Sequence, residues 1–160
     1  MTVNPEPVSG HVGPLGFHVR AAEFLEVANL ARARNTRFSP VAAFLYYRAI
    51  ELTLKAYLLA RGDGLEHLAA LRHDLIALLT EAHARGIDAV LVLSSDELQL
   101  LRDGTPDYRD HTLAYPELMT MLMGFTGQPD LDALAALARR IHNAVEQGCL
   151  DAVQGPWRPW

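Results

Sequence analysis

The sequence predicts an all-α fold, an antiparallel bundle of about five helices packed on one apolar core. Three observations predict it. Apolar residues recur at steps of three and four through most of the chain, the period of a one-sided helix. The segments carrying that period are bounded by helix-capping residues and glycines. The one short run of strand-like composition, 89–93, has no second strand to pair with and is read as a buried connector.

Taken in order, residues 1–16 hold Pro5, Pro7, Gly10, Gly13, Pro14 and Gly16, and so many breakers predict an extended arm. From Phe17 the spacing of Ala21, Phe24, Leu25, Ala28 and Ala31 predicts a first helix to about Arg34. Ser39-Pro40 opens a second: serine caps an orphan N–H, and proline has none to lose at the first helical position. That helix meets no breaker until Gly62. Leu65–Ala70 is ambiguous, and Leu75, Leu78, Leu79 and Ala82 place a third helix from about Asp74 to Arg85, closed by Gly86. Ser94 and Glu97 form a capping box for a fourth, read as ending at Gly104, with 105–116 polar and irregular. Leu118, Met119 and Leu122 suggest a helical turn. Asp130 caps a last helix along Leu131, Leu134, Leu137, Ala138, Ile141 and Val145, ending by Gly148. The expected organisation is an arm (1–16), a single helical domain (17–150) and a tail (151–160).

Composition excludes several classes. The 160 residues are half hydrophobic and 21% charged, the balance of a folded globular domain rather than a disordered chain. No apolar stretch approaches the roughly 20 residues of a membrane-spanning helix, and the start lacks a secretory signal's basic and apolar regions. The expected compartment is the cytoplasm. A single cysteine, Cys149, allows no internal disulfide and offers no zinc motif. Net charge is −5, against indiscriminate coating of nucleic acid. Residues 1–61 nevertheless carry seven basic side chains against four acidic ones, and Arg32, Arg34 and Arg37 are candidate phosphate contacts as well as ordinary helix-end cations.

The second helix is the most informative element. Tyr46, Tyr47, Arg48, Glu51, Lys55 and Tyr57 sit among Phe44, Leu45, Ile50, Leu52, Leu54, Leu58 and Leu59, so it is apolar nearly all round. Such a helix lies at the centre of a bundle or against a partner, and its charges need partners of their own. Glu51 and Lys55 stand four apart in the favourable order, with Arg48 one turn earlier. Lys55 is the single lysine beside thirteen arginines, which suggests a place for a compact ammonium. A partly buried polar cluster of Arg48, Glu51 and Lys55 is expected, with His73 or the Arg109 segment beside it.

The run Tyr47-Arg48-Ala49-Ile50-Glu51-Leu52-Thr53-Leu54-Lys55-Ala56-Tyr57-Leu58, the loop Arg61-Gly62-Asp63-Gly64 and then Arg72-His73-Asp74-Leu75-Ile76-Ala77-Leu78 resemble the HEPN domain family. The resemblance covers about residues 40–90, with a looser fit beyond. It implies a helical bundle, usually dimeric, with roles in RNA cleavage by toxins or in association with nucleotidyltransferase partners. Catalytic members carry an arginine, four to six intervening residues and a histidine near the last helices. Metal-free RNA cleavage needs a base for the 2′-hydroxyl and a cation for the phosphate, roles that histidine and arginine fill. Of the seven histidines only His67, with Arg61, has that spacing, and it lies in the loop after the second helix. Arg109 with His111, and Arg139 or Arg140 with His142, are spaced too closely.

The leading expectation is therefore a non-catalytic HEPN-like module, homodimeric, that binds a nucleotide, an RNA segment or a protein partner such as a nucleotidyltransferase, without a cofactor. The alternatives are a metal-independent ribonuclease using Arg61 with His67, or Arg109 with His111 or His142, and an antitoxin-like structural subunit. No metal site is expected, because no two histidines have a chelating helical spacing. Trp157 and Trp160, flanked by prolines, suit docking into a neighbour's groove.

Overall fold

The computed structural model describes residues 13–34, 38–115 and 127–154, and among these it is helical without strands. Its elements are α1 (Pro14–Ala33), α2 (Pro40–Ala60), α3 (Leu65–Ala70), α4 (Leu75–Ala84), α5 (Ser95–Arg109) and α6 (Leu131–Gln154), with a 3-10 turn at Ile87–Ala89. The all-α bundle is thus as the sequence predicts. The expected helical turn at 118–122, the residues Trp157 and Trp160, and Arg37 lie outside the described residues.

The capping signals work as local chemistry requires. Ser39 Oγ accepts from Ala42 N at 3.2 Å and Asp74 Oδ1 from Ala77 N at 2.9 Å. Ser94 and Glu97 complete the capping box, and Asp130 Oδ1 accepts from the amides of Asp132 and Ala133. Gly62 (φ 94°) and Gly86 (φ 80°) take the left-handed conformation that ends α2 and α4.

Helix α2 is the axis of the bundle, flanked by α1, α6 and α4, with α5 beyond. Fourteen of its 21 residues are buried, including Tyr46, Tyr47, Ile50, Glu51, Leu54 and Leu58. Its apolar circumference is covered within one chain. That supplies the central-helix alternative and removes the reason the sequence offered for a homodimer. Tyr46 fixes α1 by donating to Asn29 Oδ1 at 2.7 Å, and Arg48 lies 6.0 Å from the Phe24 ring. At the other end of α1 the rings of His18 and His142 stack with centroids 3.8 Å apart. Each Nε2–H donates to the other residue's carbonyl, at 3.1 and 3.2 Å, so α1 is clasped to α6.

Three boundaries differ from expectation, and one ambiguous segment takes a definite form. Helix α1 starts at Pro14 rather than Phe17, because proline at the first helical position is preorganised and residues 14–16 need no other cap. Leu65–Ala70 resolves as the short helix α3. Helix α6 passes through Gly148 to Gln154 because Cys149 still packs in the core. The consequential difference is Gly104, which does not end the fourth helix: α5 continues to Arg109, with Pro106 inside it. A Cβ at residue 104 would stand 1.9 Å from the Tyr47 hydroxyl oxygen and 2.2 Å from its ring. The glycine is there so that the Tyr47 ring can lie against the α5 backbone, and the extra turn carries Tyr108 inward.

Candidate polar site

The carboxylate of Glu51 is fully buried at the middle of α2 and receives four donors. Lys55, one turn on, donates to Oε1 at 2.6 Å. Oε2 accepts from Arg48 at 2.9 Å, from His73 Nδ1 at 3.0 Å and from the Tyr108 hydroxyl. Three elements thus converge on one anion: α2, the link between α3 and α4, and the end of α5. Lys55, its side chain only 12% exposed, also donates to the Arg72 carbonyl at 2.8 Å. This ties down a residue that holds a left-handed backbone without being glycine (φ 48°).

The electrostatics follow from that donor set. Burial by itself would raise the Glu51 pKa, but the Arg48 charge and the bonds from Lys55, Tyr108 and His73 outweigh it and hold the carboxyl below its ordinary range. The same arrangement acts oppositely on Tyr108, whose hydroxyl is pushed far up by burial and by the Glu51 charge. Glu51 is ionised and acts only as an acceptor, so Nδ1 of His73 must carry the proton it shares with the carboxylate.

The expected cluster of Arg48, Glu51, Lys55 and His73 is therefore assembled, between α2 and the start of α4. The Arg109 segment does lie beside it, but through Tyr108; the Arg109 side chain stands outside the cluster. Its guanidinium lies 3.8 Å from Asp74 and 3.0 Å from Asp110, while its neighbour Tyr108 makes the inward contact. Successive helical residues point about 100° apart, so the two cannot share a target. Tyr108 lies in the stretch 105–116 that composition marks as polar and irregular. The spacing of Leu98, Leu101, Thr105 and Tyr108 is the signal that would have found it.

The other candidates are dispersed. Arg61 donates to the Tyr57 hydroxyl at 3.1 Å, whereas His67 faces Glu81 at 3.5 Å, so this pair with the nuclease spacing has separate structural partners. His142 belongs to the α1–α6 clasp, whereas Arg109 is paired with Asp74 and Asp110. Arg32 pairs with Asp132 at the start of α6, which commits it to the bundle, and Arg34 is exposed at the end of α1. Only His111 comes to the cluster, its ring meeting that of His73 edge-on with centroids 5.1 Å apart. No group of three metal-ligating side chains occurs among the described residues.

Beside the cluster, α4 and α5 enclose an open groove of about 500 Å³. Leu71, Ile76, Ala77 and Pro106 give it apolar walls, and Arg102 and Arg109 stand opposite Asp74 and Glu81. No helix of the described residues is long and apolar enough to cross a membrane.

The fold and site define a helical module organised around an ion network on its central helix, with a groove alongside. The HEPN domain family model matches residues 18–147, and the chain belongs to that family. No curated protein and no solved structure matches it.

Proposed function

We propose that this chain is a HEPN module that binds a nucleotide or an RNA segment and does not itself cleave it. The observation that carries this reading is the α4–α5 groove, where Arg102 and Arg109, the latter beside Asp74 and Asp110, flank apolar surface next to the Glu51 network. Arginines of this kind contact phosphate while apolar walls accept a base or ribose face. Several groups suited to acid–base chemistry are otherwise engaged. Glu51 is saturated with donors, Tyr108 is bonded to it, and the arginine and histidine of the nuclease spacing face different partners.

The test is equilibrium binding of labelled single-stranded RNA and of a labelled mononucleotide to the whole chain. Binding should weaken at least about tenfold in Arg102→Ala/Arg109→Ala and should weaken with salt, as expected for a few phosphate contacts. Unchanged affinity in the double variant would remove the groove from the account.

A further inference from the structure

The Glu51 network contains two fixed cations, Arg48 and Lys55, and one anion, so it ends one positive charge in excess. The surrounding groups do not reverse the balance: Arg109 faces Asp74 and Asp110, and Arg72 lies in the same link. The excess is reachable at one place. His73, its side chain 36% exposed, has committed Nδ1 to Glu51, which leaves Nε2 without a partner among the described residues. His111 is exposed, has neither ring nitrogen engaged by a described residue, and sets its ring against that of His73.

Backbone geometry marks the same spot. Only two non-glycine residues among those described have positive φ, Arg72 at 48° and His111 at 61°. One immediately precedes His73 and the other is its ring neighbour. Left-handed backbone disfavours side-chain-bearing residues, and such conformations persist where surrounding contacts enforce them. Lys55 enforces the first by holding the Arg72 carbonyl. Two such positions, far apart in sequence, thus present two imidazoles side by side over a net positive network.

We propose that the paired edge of His73 and His111, backed by Lys55, is a binding site for an oxyanion of the phosphate class. The donors are the Nε2–H that His73 carries when its ring is doubly protonated and an N–H of His111, with the Lys55 ammonium adding positive charge behind them, and a tetrahedral oxyanion has acceptor oxygens for both rings. A cation is disfavoured by the same excess charge. The buried carboxylate serves as positioning residue: by accepting the Nδ1–H hydrogen bond it fixes the orientation of His73 and leaves Nε2 as the outward atom, the one that donates to the anion in the doubly protonated ring. This proposal deepens the nucleotide or RNA reading and rests on it for the source of the phosphate.

The experiment follows the histidine side-chain resonances of the full chain by NMR, assigned through single His→Gln variants. Inorganic phosphate is the first probe, with sodium chloride at matched ionic strength as control. A mononucleotide and a short RNA are the second and third. The His73 and His111 signals should move together along one saturating curve with phosphate and not with chloride, while those of His18 and His142 stay fixed. His111→Gln, an exposed substitution, should leave the fold intact and weaken phosphate binding at least about fivefold, since one of the two imidazole donors to the anion is lost. Unmoved His73 and His111 signals at phosphate concentrations of tens of millimolar would overturn the site, since even weak specific anion binding saturates near there. Equal movement with chloride would overturn it too. RNA binding with both histidines unmoved would leave the module reading standing and sink this site. Phosphate-dependent movement without any nucleotide or RNA binding would uphold the site and sink the module reading.

Discussion

Replacing Glu51 by glutamine keeps the shape of the side chain and removes the charge on which the network is built. The amide oxygen can occupy one carboxylate position and still accept from His73 and Tyr108, but as neutral bonds about half as strong. The amide nitrogen then faces Lys55, a donor against a donor. Glu51 is completely buried, whereas Lys55 is 12% and Arg48 30% exposed at the side chain. Breaking a buried ion pair costs about 3–5 kcal/mol, and solvent access to the two cations puts this site at the lower limit, about 3 kcal/mol. With a urea slope near 2 kcal/mol per molar, the unfolding midpoint should fall by about 1.5 M. Lys55→Met should cost less, because Arg48, His73 and Tyr108 still satisfy the carboxylate. The double variant should show coupling of at least about 1 kcal/mol. Urea titrations followed by circular dichroism measure all three. A Glu51→Gln midpoint within about 0.3 M of the parent would show a pair exchanging freely with water, and the reasoning would fail. The pH dependence has a defined sign: the folded Glu51 pKa is depressed, so its contribution is present above the ordinary value of 4.5 and is lost as pH falls through the lower folded value. Glu51→Gln should remove that acid-side loss.

Three other outcomes follow from the geometry. Gly104→Ala should destabilise by about 3 kcal/mol or more through collision with Tyr47, and should cost far less in a Tyr47→Leu background; additive costs in a double-mutant cycle would refute the contact. Tyr108→Phe keeps the ring packing and deletes one bond to a buried carboxylate, so a loss of about 2 kcal/mol at unchanged urea slope is expected, and a loss below about 0.5 kcal/mol would contradict it. Burial first, and then the neighbouring His142, lower the His18 pKa despite the backbone bond and Glu146. Protons therefore bind the unfolded chain more readily, and stability should decline as pH falls from 6.5 towards the depressed folded value. A parent and a His18→Gln variant with parallel pH–stability curves across that window would contradict the clasp.

What the sequence made legible was local. Ser39, Asp74, Ser94 and Asp130 announce helix starts because a cap involves only the next three residues. Glu51 and Lys55 could be paired from their spacing, and His73 from its place at the next helix start. Gly104 was misread because a glycine that ends a helix and one that admits a ring from another helix look the same without the packing partner. With the helix closed at Gly104, Tyr108 falls outside any regular element and its inward face is not visible. The His18–His142 clasp spans 124 positions and exists only through the packing of α1 on α6.

Whether this HEPN module holds RNA without cutting it can be read from one sample in two ways. Labelled single-stranded RNA is incubated with the purified chain in excess chelator, and anisotropy and strand length are followed together. Raised anisotropy with full-length RNA throughout is expected. Shortening of the RNA that is abolished in His73→Ala or His111→Ala would contradict it and make the paired histidines the working groups of a metal-independent ribonuclease.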